Sequence, residues 1–467
     1  MFGEIKLWAL EYVDMENRPQ LFGTDGIRGV AGRYPLDREM VHRLGQALGL
    51  TLPSIVGGDP HEVILGEDTR ESSAWISRVF AAGLTSAGIK VDYAGVITTP
   101  GVAFLTRHHG FAAGVMVSAS HNPYQDNGIK IISSAGMKLP EAVELEIERA
   151  LEDVKPGTTG TPELPLEPDA ELLNDYLGFL ESLVPTGVDV SRYRLVVDAA
   201  NGAASRVIPG LMKRLGIKPR ILSAGPNGRN INLHCGSLHP ETMAQETRTG
   251  EADLGVAFDG DADRAIFATH AGHIADGDHI LFALAPFLRR RGWLKGDAVV
   301  GTLMTNLGLE LALARQGIGL KRTPVGDKYV LAEMLSSGIN LGGEPSGHLI
   351  FLDLSPAGDG IITLLQVLRL LAETQRPLAE LVSDLKQFPQ IIRNVRVEQK
   401  PPLEAIPEVA QAIAEFREEC GERGRVVVRY SGTEPVARVM IEAEEAEAVQ
   451  RHAARIAQAI EAALGVR

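Results

Sequence analysis

Four short polar segments carry residue types able to do chemistry, and they lie far apart in the chain. The first reads Ser118-Ala119-Ser120-His121-Asn122-Pro123, then Asp126-Asn127-Gly128-Ile129-Lys130. It follows the apolar run Ala113 to Val117, a buried strand by its length and composition, so Ser120 stands where substrates meet α/β sheets. A helix N-terminus or a nest of backbone N–H groups nearby would stabilise a phosphorylated serine there. Taken alone, the segment reads more simply as an Asn-Pro turn with a capping serine. A serine hydrolase fits poorly: no Gly-x-Ser-x-Gly elbow surrounds Ser120, and on an extended chain His121 points away from its neighbour.

The second segment is Asp259-Gly260-Asp261-Ala262-Asp263-Arg264, after the apolar run Leu254 to Phe258. Alternating aspartates in a tight turn aim three oxygens at one hard cation. A calcium-binding helix–loop–helix needs Gly at the sixth position and Glu at the twelfth, where this chain has Arg264 and His270. Magnesium suits a short triad that leaves room for a phosphate oxygen, whereas carboxylates this close repel one another without a cation. The third segment, Gly342-Gly343-Glu344-Pro345-Ser346-Gly347-His348, pairs groups able to bind vicinal sugar hydroxyls with a histidine able to contact phosphate or move a proton. The fourth, Arg429-Tyr430-Ser431-Gly432-Thr433-Glu434-Pro435 with Arg438, offers two arginines, two hydroxyls and turn amides as a cradle for a non-reacting phosphate. In isolation the last two read equally as an ordinary loop and a hairpin turn. Neither a Gly-x-x-x-x-Gly-Lys-Ser/Thr loop nor a Gly-x-Gly-x-x-Gly turn occurs, which removes the usual signatures of nucleotide hydrolysis and dinucleotide redox chemistry. Nucleophile, cation, polyol and phosphate sites together call for phosphoryl transfer on a sugar phosphate.

The elements that must position these segments repeat. Val63-Ile64-Leu65-Gly66 predicts a strand, Ser72 to Ala87 a helix, and Gly88-Ile89 a stop before another apolar run. Arg194 to Asp198, a helix from about Ser205 and a stop at Gly216-Ile217 repeat the pattern, as do Ala298 to Gly301, a helix from about Leu307 and Gly317-Ile318. Each is a βαβ unit with parallel pairing. Lys155 to Pro168 is the clearest linker, and the tail after about Phe388 mixes strands (391–397, 426–430) with helices (404–418, 446–463) as a smaller α+β domain. The expected fold is therefore α/β, with three related domains at 1–165, 166–275 and 276–387 and a C-terminal α+β domain at 388–467.

Composition narrows the partners. A formal charge of −14 over 467 residues repels nucleic acid and anionic lipid. Two cysteines, Cys235 and Cys420, fit a reducing cytoplasm better than a disulfide scaffold. His234, Cys235 and His239 lie close together but lack a second ligand cluster, so zinc is not expected. No apolar run reaches the roughly 20 residues of a membrane span. Residues 1–20 do not read as a signal peptide; they read as a short extra arm, or as the product of an upstream start codon, since Met15 can equally begin the chain.

In order, these segments resemble the α-D-phosphohexomutase superfamily, most closely its bacterial glucosamine branch. Leu21-Phe22-Gly23-Thr24-Asp25-Gly26-Ile27-Arg28-Gly29 resembles the family's opening, and Gly301 to Glu310 and Val325-Gly326-Asp327-Lys328-Tyr329-Val330 resemble the glucosamine branch. The resemblance implies four domains around a central cleft. It implies interconversion of glucosamine 6-phosphate and glucosamine 1-phosphate through a phosphoserine at Ser120 and a bisphosphorylated sugar. By the same resemblance, Ser120, Asp259, Asp261 and Asp263 hold Mg2+, and Arg28, Lys130, Arg264 and His348 neutralise charge or move protons. Asp327, Lys328, Glu344 and Ser346 fall to the substrate, and Arg429, Ser431, Gly432, Thr433 and Arg438 to its distal phosphate. A bisphosphorylated sugar is the expected activator, and a homodimer is left open. The alternatives are a phosphoglucomutase or phosphomannomutase of the same superfamily, and a non-catalytic phosphosugar-binding protein. Three departures stand out: Ala262 where glycine is commoner, tolerable at negative φ; Lys328 where many relatives have Arg; and Pro345 where the glucosamine branch has Gln, which bears on the sugar.

Overall fold

Val63, Ile64 and Leu65 are fully buried in β2 (Glu62–Glu67), as a strand covered on both faces requires. The structure is a computed structural model that describes residues 19–56, 62–155, 161–431 and 435–465, so most of the N-terminal arm lies outside the described residues. It divides into two units: residues up to Ile274 with Ser346–Pro377, and Ala275–Pro345 with Leu378–Arg467.

In the first unit, β2 joins β1 (Ile27–Val30), β3 (Lys90–Val96), β4 (Ala113–Val117) and β5 (Asp126–Ser133) in the order β1-β5-β4-β2-β3. β2 runs parallel to β3 and β4, and β5 returns antiparallel to β4. Helices α1 (Arg38–Val56), α2 (Ser73–Ser86), α3 (Thr99–His109) and α4 (Glu141–Asp153) flank this sheet. α1, α2 and α4 close a core that includes Leu44, Leu48, Phe80 and Ile147. After α5 (Ala170–Ser182), a second sheet forms from β6 (Leu195–Asp198), β7 (Arg220–Leu222), β8 (Leu254–Phe258) and β9 (Ala265–Thr269) in the order β9-β8-β6-β7, with α6 (Ala204–Arg214) and α7 (Glu241–Thr249). β6 is parallel to β7 and β8, while β9 is antiparallel. In both sheets, then, a polar segment follows the C-terminal end of a parallel strand and an antiparallel strand comes back after it.

The second unit holds the third repeat, in which Ala298–Thr302 pairs parallel with Gly319–Thr323 and with Leu341–Gly343. All three predicted βαβ units thus have parallel strands. The tail is α+β: Val436–Ala443 pairs antiparallel with Gln390–Arg396 and Gly424–Tyr430. Helices Pro407–Cys420 and Ala446–Leu464 bury Phe416, Val439, Ile441 and Ile456 against that sheet. Among the described residues no helix is long and apolar enough to cross a membrane, and both cysteines are free thiols.

One buried carboxylate ties the first unit together. Asp359 caps the helix Gly360–Thr374, accepting from Ile361 N–H (2.7 Å) and Ile362 N–H (3.0 Å), and its second oxygen accepts from the buried Tyr176 hydroxyl (2.8 Å). Burial pushes its pKa from the ordinary 3.8 to about 6. Between those values the folded state holds a proton that the unfolded chain releases, so this group's contribution to stability falls as pH rises through that window. Asp359→Ala is expected to cost about 2–4 kcal/mol through the lost cap and a buried Tyr176 hydroxyl left with only Thr98 Oγ1, at 3.3 Å, as partner. Asp359→Asn, which keeps a cap acceptor, is expected to flatten the pH dependence of the thermal midpoint between about pH 4 and 6. Thermal unfolding across that range checks both.

Candidate active site

β4 ends at Val117, and the chain after it folds back into β5 without an intervening helix. Ser118 Oγ accepts from Ser120 N–H (3.0 Å) and donates to the buried Asp68 carboxylate (2.7 Å), while Ser120 itself takes a left-handed φ of 50°. That conformation is costly for a residue with a Cβ and survives only where surrounding contacts impose it. It turns Ser120 Oγ toward Asp259 Oδ2, to which it donates at 2.6 Å. Ser120 is 1% exposed.

The turn after β8 brings Asp259, Asp261 and Asp263 together, with one oxygen from each lying within 4.8 Å of the others. All three are buried, and among the described residues Asp261 Oδ1 and Asp263 Oδ1 accept no hydrogen bond. Buried oxygens without donors are what a cation is needed to satisfy, and an all-carboxylate set suits a hard divalent ion. The residues present therefore fit a metal. Lys130, carried by β5, reaches Asp261 Oδ2 at 2.8 Å, Asp25 Oδ2 at 2.9 Å and Asp263 Oδ2 at 3.8 Å. Thr99 Oγ1 also donates to Asp261 Oδ2, at 2.5 Å. Arg264 Nε stands 3.8 Å from Asp263, and His348 Nδ1 stands 3.7 Å from it. Gly347, at φ 89°, makes that last approach possible, because a Cβ there would lie 2.3 Å from the Ala265 carbonyl oxygen. Arg28 bonds Asp25 and reaches Asn122 Oδ1 at 3.3 Å and Ala119 O at 3.4 Å.

Charge is unevenly distributed in this cluster. Burial, reinforced by Asp263 and Asp261, pushes the Asp259 carboxyl well above the usual range. Burial opposes ionisation of Asp263 too, but Lys130, His348 and Arg264 outweigh it and hold that carboxyl low. Burial would lower Lys130, yet Asp25, Asp261 and Asp263 outweigh it and keep the ammonium protonated far beyond neutral pH. His121 goes the other way: burial, with Arg264 and Arg28 nearby, lowers it to about 4, so its ring is neutral at pH 7.

In the second unit, Glu344 Oε1 accepts from Gly326 N–H at 3.1 Å, beside Asp327 and Lys328 at the start of the helix Asp327–Ser337. Pro345 spends its carbonyl on Gly277 N–H (3.1 Å). Arg429 and Arg438 are directly opposed across their two strands. Like charges in that register repel, which an anion between them would relieve. Ser431 is buried beside them, its carbonyl accepting from Lys400 Nζ at 2.7 Å. Gly432 and Thr433 lie outside the described residues.

Four family models match the chain in order: phosphoglucomutase/phosphomannomutase alpha/beta/alpha domain I over residues 19–157, domain II over 174–272, domain III over 276–388, and the C-terminal domain over 393–459. The chain belongs to the phosphoglucomutase/phosphomannomutase family. Within it, the phosphoglucosamine mutase of Koribacter versatilis is 50% identical, covering 96% of this chain and 98% of its own. That of Solibacter usitatus is 47% identical over 95% and 99%. A putative phosphomannomutase from Thermus thermophilus superposes with a TM-score of 0.77 at 24% identity, covering 95% of this chain and 100% of that one. An Aspergillus fumigatus N-acetylphosphoglucosamine mutase, solved with GlcNAc-6P and magnesium, has a TM-score of 0.61 at 19% identity, covering 95% and 96%.

Against this family's frame the structure corrects two expectations. His121 does not point away from its neighbour: the left-handed turn at Ser120 brings His121 Nδ1 to 3.1 Å from Ser120 Oγ. The residue at 262 is not at negative φ either: Ala262 sits at φ 57°, fully buried, with its N–H bonded to Asp259 O and its carbonyl accepting from Gly360 N–H. Alanine is therefore strained where glycine would not be, and Ala262→Gly is expected to raise the unfolding free energy by about 1 kcal/mol. Denaturant melts of the two proteins check this. Sequence reasoning also passed over Asp25, Arg70, Thr99 and Asn232, each of which bonds the serine loop, the triad or Lys130.

Proposed function

We propose that the chain interconverts glucosamine 6-phosphate and glucosamine 1-phosphate by phosphoryl transfer through Ser120. The observation that carries this reading is the buried Ser120 hydroxyl, 2.6 Å from a carboxylate triad in which two oxygens, Asp261 Oδ1 and Asp263 Oδ1, accept no hydrogen bond. The choice of sugar rests on relatives called phosphoglucosamine mutase at 41–50% identity over nearly the whole chain.

Phosphorylated Ser120 meets the free hydroxyl of the bound sugar phosphate. The sugar oxygen bonds to phosphorus, the bond from phosphorus to Ser120 Oγ breaks, the sugar hydroxyl gives up its proton and Oγ takes one. The bisphosphorylated sugar turns over, and Ser120 Oγ attacks the phosphate at its other end, which regenerates the phosphoserine and releases the isomer. A bisphosphorylated sugar from solution primes an unphosphorylated enzyme in the same way. Asp259, Asp261, Asp263 and the seryl phosphate would hold Mg2+, which when bound supplies charge neutralisation at the transferring phosphoryl group. Lys130, fixed as a cation, and Arg28 and Arg264 stabilise the phosphoryl oxygens as charge shifts among them. The neutral His121 ring, at hydrogen-bond distance from Oγ, is suited to take the seryl proton when the free hydroxyl attacks. Arg429, Ser431 and Arg438, with Gly432 and Thr433 next to Ser431 in sequence, are assigned to the other phosphate in either orientation, and Asp327, Lys328, Glu344, Ser346 and His348 to the sugar and its reacting end.

One observation favours a neutral hexose instead. Pro345 stands where the glucosamine branch carries Gln, and its ring offers no side-chain acceptor to an amino group. Coupled assays on glucosamine, glucose and mannose phosphates decide. Faster turnover of the glucosamine pair is expected, and equal or better turnover of glucose or mannose phosphate overturns the amino-sugar assignment.

A further inference from the structure

Ser120 keeps a left-handed backbone, and the atoms that enforce it come from three places in the chain. Arg70 is 2% exposed and forms a fully enclosed pair with Asp68, its Nε 2.8 Å from Asp68 Oδ2. Its remaining nitrogens donate to four carbonyls of the serine loop: Ser120 O and Asn122 O at 2.9 Å each, Asp126 O at 3.0 Å, and Pro123 O. One rigid guanidinium thus templates the turn from 120 to 126. From the second sheet's domain, Asn232 Nδ2 donates to the same two carbonyls, at 2.9 Å to Ser120 O and 3.2 Å to Asn122 O. The third side is Gly260, inside the aspartate turn, where a Cβ would stand 2.5 Å from Ser120 O and 3.0 Å from Asn232 Nδ2.

We propose that Arg70 and Asn232 are positioning residues for the phosphoryl transfer, a two-sided clamp on the Ser120 and Asn122 carbonyls that holds Oγ aimed at the triad. Arg70 fixes the shape of the loop. Asn232 fixes its register against the aspartate turn, because its amide bonds the Ser120 carbonyl where that carbonyl packs against Gly260. The clamp rests on the functional reading above, in that Ser120 is taken as the group that carries phosphate. Unclamped, the loop relaxes from its strained φ, and a shift of the nucleophile by a fraction of an ångström to one ångström slows transfer by up to about 100-fold. Binding of the sugar phosphate, which depends on other residues, is left nearly unchanged.

Asn232 is the better probe, since it is half-buried on a loop and its replacement spares the buried Asp68–Arg70 pair. Asn232→Asp keeps the shape and removes the donor, and Asn232→Ala removes both. Each is expected to lower kcat about 10–100-fold with KM for the hexose phosphate within about a factor of two. Because Asn232 sits at φ 57°, a region that Asp tolerates better than Ala, the thermal midpoint is expected to stay close to wild type for the Asp variant and to fall modestly for the Ala variant. Arg70→Lys, which retains the charge but not the fork, is expected to be impaired at least as much. The rate at which a bisphosphorylated sugar places phosphate on Ser120, followed by intact mass, is expected to fall in parallel. Wild-type kcat in either Asn232 variant overturns the clamp, and so does a loss confined to KM. Failure of the functional reading looks different: the unsubstituted protein then takes no phosphate on Ser120 at all.

Discussion

Ser120→Ala is expected to reduce turnover of hexose phosphate by about 10⁴-fold or more and to leave the protein without covalent phosphate. The magnitude follows from what the hydroxyl does: it is the bond-forming atom in one half-reaction and the leaving group in the other, so no neighbour can substitute by binding alone. His121 and Asp259 flank it closely, at 3.1 and 2.6 Å, but neither gives a phosphoryl adduct that can be returned to the sugar from the same position. The fold should survive. The variant loses one hydrogen bond to an already crowded carboxylate, a change of about 1 kcal/mol, while Arg70 and Asn232 still hold the loop through backbone carbonyls that alanine retains. Intact-mass measurement and peptide mapping of both proteins, beside the coupled assay, test the claim. Activity retained in the variant would sink the mechanism, whatever the sugar.

Much of the frame behind that serine was legible in the chain itself. Alternation of apolar runs with Gly-Ile stops located three parallel pairs because a strand buried on both faces must be continuously apolar, and only a helical crossover can return it parallel. The triad was legible because an Asp-x-Asp-x-Asp turn has little other use for three adjacent carboxylates. What stayed hidden depends on backbone angles and distant partners. Nothing local to Ala262 or Ser120 announces a positive φ; it is imposed by carbonyls and amides from elsewhere in the fold. The same holds for His121, whose direction follows from the turn one residue earlier.

Arg70 and Asp68 were hidden for a subtler reason. They bond the serine loop across about 50 residues of sequence, yet they occupy the same kind of place as Ser120 and Asp259, just past the C-terminal end of a parallel strand. Asking which polar residues follow every such strand, and not only those in unusual motifs, would have found them. Asn232 and Thr99 carry no comparable signal: one lies in an irregular loop, and the other opens a helix as an ordinary threonine would.

Lys130→Met is the second large effect expected, and it separates folding from chemistry. Lys130 is 3% exposed and lies among Asp25, Asp261 and Asp263. Methionine fills much the same volume but leaves those carboxylates without their shared cation. Breaking a buried charge pair from one side typically costs about 3–5 kcal/mol, so the thermal midpoint should fall by many degrees at neutral pH. The pH dependence has a definite sign. With the ammonium gone, Asp25 and Asp263 lose one of the cations that hold their carboxyls low, so the deficit is largest where they are ionised and shrinks toward acid, where they are protonated. A divalent cation works against the same repulsion: added Mg2+ should raise the midpoint of the variant more than that of the wild type. Turnover should remain about 10²–10³-fold low even when Mg2+ has restored stability, because a fixed cation beside the transferring phosphoryl group has been lost. Calorimetry across pH, with and without MgCl2, beside kcat under the stabilising condition, reads the two effects independently. An unchanged midpoint would mean that the three carboxylates do not depend on Lys130 for their charge balance, and full activity would remove it from the phosphoryl-transfer site.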